Sequence, residues 1–222
     1  MLSHIQFFMA SIQDIMASES THVKLKEIKQ NLRTLMNGIT SKSMRDKGVQ
    51  YKLNWGASVL HLREMAEGYG KDADLARLLW HENIRECKIL ATMIMPQHEM
   101  KHEQCESWAD EMPSIEIAEL CAMNVFQYAD NASGLAFRWI ETDDFYRRIC
   151  GFHILSRLFM RGFMPDSRQT EAYLDRACQS LKDESIAVRH AANSSISHFA
   201  RLGEDFAEKV EIAANSNHLE LF

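Results

Sequence analysis

Proline and glycine are scarce in this chain, 3 and 9 among 222 residues, and β-branched runs are few. A strand-rich fold needs more turn-forming residues than that, so the shortage points to helices. No apolar run approaches the roughly 20 residues that span a bilayer, so no membrane partner is expected. "MLSHIQFFMASIQDIMAS" starts apolar but lacks a basic leading region, and Gln13 and Asp14 interrupt it at helical spacing. It reads as an amphipathic first helix rather than a signal peptide. The five cysteines (Cys87, Cys105, Cys121, Cys150, Cys178) show no C-x-x-C spacing and sit in apolar patterns. They read as reduced core thiols of a cytoplasmic protein. A surplus of positive charge is missing too: the formal net charge is −6. That opposes strong nonspecific attraction to polyanions, although net charge does not describe any one face.

What the chain has is helical periodicity nearly end to end. Apolar residues recur at three and four in "VKLKEIKQNLRTLM", "ASVLHLREMAEGYG", "ADLARLLW", "IRECKILATMIM", "SIEIAELCAMNVFQYA", "FYRRICGFHILSRLFM", "TEAYLDRACQSL" and "IAVRHAANSSISHFARL". Short helices joined by short polar turns predict stacked helix pairs. Three stretches share one plan: "LLWHENIRECKILATMI", "FRWIETDDFYRRICGFHIL" and "CQSLKDESIAVRHAANSSI". In each, a helix ends, an acidic turn follows, and the next helix opens with a basic residue among small or apolar ones. Superposing them aligns Lys88, Arg148 and His190, with Arg147 and Arg189 just before the last two. His190 lies 42 residues after Arg148, within the length of about 40–47 typical of HEAT repeats. Lys88 lies 60 residues before Arg148, so an irregular unit holding "EQCESWADEMPSIEIAELCAMNVF" intervenes. The expected fold is an all-α, HEAT-like solenoid of antiparallel helix pairs forming a single domain over 1–222, with 215–222 as a short tail and a concave basic face. On that face Lys88, Arg148 and His190 would line a cationic strip, with Arg85 and Lys52 at its edge. Arg147 and Arg189 have two readings, as part of the strip or as a ladder to the acidic turns.

His98-Glu99-Met100-Lys101-His102 fits the zincin pattern H-E-x-x-H, in which two histidines four apart on a helix hold zinc and the glutamate acts as base. Pro96 puts His98 at or near a helix start, Lys101 would place a cation beside the metal, and no third ligand follows at a zincin spacing. No metal or other cofactor is expected. Met93, Met95, Met100, Met112, Met123, Met160 and Met164 read as core filler. Trp55, Trp80, Trp108 and Trp139 read as packing at helix ends, with Trp108 and Trp139 as alternative stacking surfaces for a displaced base.

The order of these segments resembles the AlkD-type DNA alkylation repair proteins, HEAT-like solenoids that include glycosylases for positively charged alkylated purines. The likeness covers roughly 25–205 and rests on "KLNWGASVLHLREMAEGYGKDADLARLLWHENIRECKILATMIMP", "WADEMPSIEIAELCAMNVF" and "FYRRICGFHIL". Leu62-Arg63, Leu79-Trp80 and Ile84 to Ala91 occupy the places of the family's leucine-arginine helix, its acidic "Leu-Trp" helix and the helix after it. The resemblance implies a site of a tryptophan four residues before an aspartate, an arginine in an "Arg-Arg" helix and a second tryptophan further on. Those places fall on Ile115, Glu119, Arg148 and Ser194.

One of the four matches, and both aromatic walls are missing. An aromatic face attracts a cation by about 0.5–2 kcal/mol, so isoleucine and serine lower selectivity for charged lesions. The longer side chain of Glu119 displaces its carboxylate, and a shift near 1 Å costs on the order of 100-fold in rate. The expected function is binding of double-stranded, possibly alkylated, DNA through Lys88, Arg147, Arg148, Arg189 and His190, with weak or lost glycosylase activity. Two alternatives stand beside it: an active alkylpurine glycosylase using Glu119 and Arg148, and a HEAT-repeat scaffold that binds a protein partner.

Overall fold

The computed structural model describes residues 19–219, and the helix expected over 1–18 and the last residues of the expected tail lie outside them. The described chain opens in a helix, α1, that ends at residue 34. It is followed by α2 (Gly38–Asp46), α3 (Val59–Tyr69), α4 (Ala73–His81), α5 (Arg85–Ile94), α6 (His102–Asp110) and α7 (Ile115–Asn124). After these come α8 (Ala132–Ile140), α9 (Phe145–Met160), α10 (Ser167–Ser180), α11 (Ile186–Ala200) and α12 (Glu204–Ser216). Among the described residues there is no strand, only one isolated bridge between Leu53 and Ile84. The all-α expectation holds. The end of α12 at Ser216 takes in the first two residues of the expected tail, and Leu219 N–H bonds back to the Ala214 carbonyl at 3.0 Å.

The acidic turns that mark the repeat plan have a local cause. Asp144 caps α9 by accepting the Arg147 backbone N–H at 2.8 Å, and Asp183 accepts the Ser185 N–H at 2.8 Å just before α11. Each satisfies donors that a helix start leaves without a partner. Asp72, Ser58, Asn37 and Ser114 cap α4, α3, α2 and α7, and Asp166 with Gln169 forms a capping box on α10.

Contacts divide the chain into two compact units, parting between Glu99 and Met100. In the first, α5 packs against α4 and α3. A buried ion pair pins the loop that precedes α3. The Glu86 carboxylate accepts backbone N–H groups of Trp55 at 3.2 Å, Gly56 at 2.9 Å and Ala57 at 3.3 Å, and Arg85 Nη1 donates to Glu86 and to the Ala57 carbonyl. Burying both charges is tolerable because so many hydrogen bonds are aimed at them. Gly56 sits at φ +73° with the Asn37 carbonyl where a Cβ would be, so no other residue fits that loop without strain.

In the second unit, α7, α9 and α11 lie side by side, with α8 against α9 and α10 and α12 against α11. Gly151 lets α9 pass close to α8: a Cβ there would stand 2.9 Å from Ile140 Cγ2 and 3.0 Å from the Ala136 carbonyl. At its other end the unit closes on edge-on rings, Phe159 with Tyr173 and Phe199 at 5.3 and 5.2 Å and Phe199 with Phe206 at 5.1 Å. All four tryptophans are buried, which removes Trp108 and Trp139 as stacking surfaces for a base. Their rings fill the spaces between helices, and the Trp139 indole N–H donates to Glu106. The five cysteines are free and buried, and burial lifts the Cys87 and Cys105 thiols to about 12. Met95, Met100 and Met112 are core residues, whereas Met160, the last residue of α9, and Met164 beyond it are exposed.

Candidate functional site

The H-E-x-x-H stretch does not form a zincin helix. His98 and Glu99 belong to a separate 3-10 turn (Gln97–Glu99), Lys101 is the N-cap of α6, and His102 is the first residue of that helix. His102 lies beside Glu106 and shares the Arg138 guanidinium with it.

The expected DNA-contact residues are distributed differently from the sequence pattern. Lys88 is 7% exposed; its ammonium donates to the Trp80 carbonyl at 2.8 Å and lies 4.1 Å over the Trp80 ring. It therefore fastens α5 to the end of α4 and is not an open-face cation. Arg85 is buried in the ion pair with Glu86, so it does not edge a strip either. Arg147 donates to Asp110 at 2.7 Å and lies 3.4 Å from Asp144 and 3.5 Å from Glu106, binding α9 to α6. Arg189 gives Nη1 to the Asp183 and Glu184 carbonyls at 2.6 and 2.9 Å, closing the turn before its own helix. These two take the ladder role, with carboxylates for Arg147 and backbone oxygens for Arg189.

Two of the five remain at a surface. Arg148 projects from α9 to Asp183 at 3.1 Å with its side chain 17% exposed, and its Nε is buried without a partner among the described residues. His190, on α11, is exposed. Around His190 the row α7–α9–α11 assembles a group that the sequence did not single out. Glu119 on α7 lies 3.6 Å from His153 on α9, and both interact electrostatically with His190. Burial pushes the His153 imidazole down to about 4, helped by the charges of His190 and Arg157. The nearby carboxylate does not reverse this, because 3.6 Å is too long for a hydrogen bond and the ring is largely enclosed. Burial also raises Glu119; His190 opposes the shift and Glu116 reinforces it. At neutral pH the group thus sets a neutral imidazole against the Glu119 carboxyl group. His153 escaped the sequence reading because a lone histidine in "GFHIL" looks like any residue on an apolar helix face. The only signal is its place one turn and a residue after Arg148 on the same helix.

Ile115, one turn before Glu119, is 36% exposed, and Ser194 is half-buried with its carbonyl beside His198. No aromatic ring stands at either place. This part of the surface can orient a water or stabilise a positive charge through Glu119, but neither of these positions holds a π-face for a cationic base.

A family model described as DNA alkylation repair enzyme matches residues 28–216. One solved structure is similar over 86% of this chain and 81% of its own, with a TM-score of 0.73 and 17% identity. It is described as "a new family of proteins related to the HEAT-like repeat DNA glycosylases with affinity for branched DNA structures". At that identity the likeness is one of fold, the stacked helix pairs of HEAT-like repeats. None of the curated protein sequences compared with the chain matches it significantly.

Proposed function

Because the chain belongs to the DNA alkylation repair enzyme family, we propose that it binds DNA through the sugar-phosphate backbone and has lost efficient excision of alkylated bases. The observation that carries the second half is the pairing of Glu119 with His153 beside Ile115, where the family resemblance implies an aspartate beside a tryptophan. Base loss from a cationic purine needs a carboxylate placed against the developing oxocarbenium ion, and selectivity for the lesion needs an aromatic face. Glu119 retains a carboxyl group, but its longer side chain stands 3.6 Å from His153 on α9. Of the residues expected to meet phosphate, His190 stays in this reading as an exposed side chain and Arg148 would first have to leave Asp183; Lys88, Arg147 and Arg189 are engaged within the protein. The affinity described for the structural neighbour makes branched DNA a natural second probe beside the duplex.

The test has two parts. A labelled duplex and a labelled four-way junction are titrated by fluorescence anisotropy at low salt, where nonspecific DNA binding falls at about 10⁻⁶ to 10⁻⁴ M or tighter. Duplex carrying N7-methylguanine is then incubated with wild type and Glu119→Gln, and released base is counted. Binding without release above background is the expected result. Release that vanishes in Glu119→Gln would establish the glycosylase alternative, and absence of binding to both DNAs would leave the protein-scaffold alternative.

A further inference from the structure

Charge is distributed unevenly along the chain. Between residues 19 and 60, eight lysines and arginines stand against three acids, in a protein whose net charge is −6. Some of these cations are used locally: Lys24 pairs with Asp72 at 2.8 Å, Lys29 with Glu82 at 2.9 Å and Lys42 with Asp46 at 2.7 Å. Lys26, Arg33, Lys47 and Lys52 are exposed and pair with no carboxylate among the described residues. In the second unit Arg138, Arg147 and Arg148 each face a carboxylate, whereas Arg168, Lys182, Arg201 and Lys209 are exposed without one among the described residues. What sets residues 19–60 apart is therefore the surplus of bases over acids.

We propose that this stretch, from α1 through the loop after α2, is a phosphate-binding surface on which the chain holds the DNA backbone. The inference rests on the reading above that the chain binds DNA. His22, Lys26, Lys29, Gln30 and Arg33 line one surface groove of about 330 Å³ along α1. Their spacing keeps them on a single face for three helical turns, roughly 16 Å at about 1.5 Å per residue. Duplex DNA presents one phosphate per about 3.4 Å on each strand, so such a stripe spans several charges. Lys52 is offered from a fixed backbone: its N–H donates to Asn83 Oδ1 at 3.1 Å, and the residues after it are gripped by Glu86. An unpaired surface cation is free to release counterions when it meets a phosphate, whereas Arg147 would first have to leave Asp110. On α1 the apolar Ile28 and Leu32 are fully buried in the protein, while Val23, Met36 and Ile39 are exposed nearby, so a lipid surface is set against DNA in the test itself.

The full-length chain with Lys26→Gln, Arg33→Gln, Lys47→Gln and Lys52→Gln tests this against wild type. The same labelled DNAs are titrated between about 50 and 200 mM salt, and circular dichroism checks that the helices persist. The variant is expected to bind at least about 10-fold more weakly at the lower salt, with a log–log salt slope shallower by about 2–4. Unchanged affinity and slope would overturn the proposal and leave DNA binding intact, whereas failure of wild type to bind would first remove the reading it rests on. Vesicles containing anionic lipid serve as a second ligand. Wild-type binding to them that exceeds binding to DNA and is lost in the variant would reassign the surface to membranes and overturn it. The pairs Lys26→Gln/Arg33→Gln and Lys47→Gln/Lys52→Gln, made separately, are each expected to make the slope shallower by about 1–2, half of the change in the quadruple variant, so a misfolded quadruple variant does not leave the question open.

Discussion

At the residue scale, His153 ties the chemistry of α9 to acid stability. Its folded-state pKa of about 4 lies below the ordinary value of 6.5, so the folded protein refuses a proton that the unfolded chain accepts. Stability from this residue is intact above about 6.5 and falls as pH drops toward 4. At about 1.36 kcal/mol per pH unit the loss reaches at most about 3 kcal/mol, less whatever Glu119 returns to a protonated ring. His153→Leu should flatten the pH dependence of urea unfolding between 6.5 and 4 relative to wild type; parallel curves would contradict the assignment. Residue roles were the least legible level of the sequence. The aligned bases Lys88, Arg147, Arg148, Arg189 and His190 carry one charge pattern but meet different acceptors. A carbonyl eight residues earlier holds Lys88, and a turn backbone holds Arg189. Such acceptors leave no mark in sequence spacing.

At the scale of elements the sequence was far more informative, because the features that start helices are also local. Asp144 and Asp183 are legible as acidic turns in the sequence, and the segments with strong periodicity form α1, α3–α5, α7 and α9–α11. The helices α2, α6, α8 and α12 did not stand out. The first three are only 9 residues long, as is α4, which was legible because Leu75, Leu79 and Trp80 give it an apolar face; α2 buries only Ser41. Small residues at helix crossings were expected, and Gly151 is one. Gly151→Ala should lower stability by about 1–3 kcal/mol, because the Ala136 carbonyl on α8 cannot retreat from a new methyl. Gly68→Ala in α3 meets no atom within 4 Å and should raise stability by up to about 1 kcal/mol. Thermal melts of the two variants should therefore move in opposite directions, and a shared direction would mean that the α8–α9 contact is looser than its geometry implies.

For the whole molecule, the all-helical paired architecture could be read in advance, and the contacts of the chain gather in two compact units. Periodicity reports how each helix meets its neighbours and is silent on where such contacts thin out. The −6 net charge is silent in its own way, since a total hides the basic surplus between residues 19 and 60. The enclosed sulfurs turn the two-unit division into something measurable. Cys87 is the one cysteine before Glu99, and Cys105, Cys121, Cys150 and Cys178 all follow it. With all five thiols buried, and those of Cys87, Cys105, Cys150 and Cys178 harder to ionise than usual, an alkylating reagent must wait for the surrounding helices to part. The native protein should react with iodoacetamide far more slowly than the urea-unfolded chain, and mass spectrometry of the modified peptides would time the opening of each unit. Fast modification of any of the five in native buffer would show that its helices part more readily than their packing suggests. The cysteines thus act as stopwatches already installed in the chain, one for the first unit and four for the second.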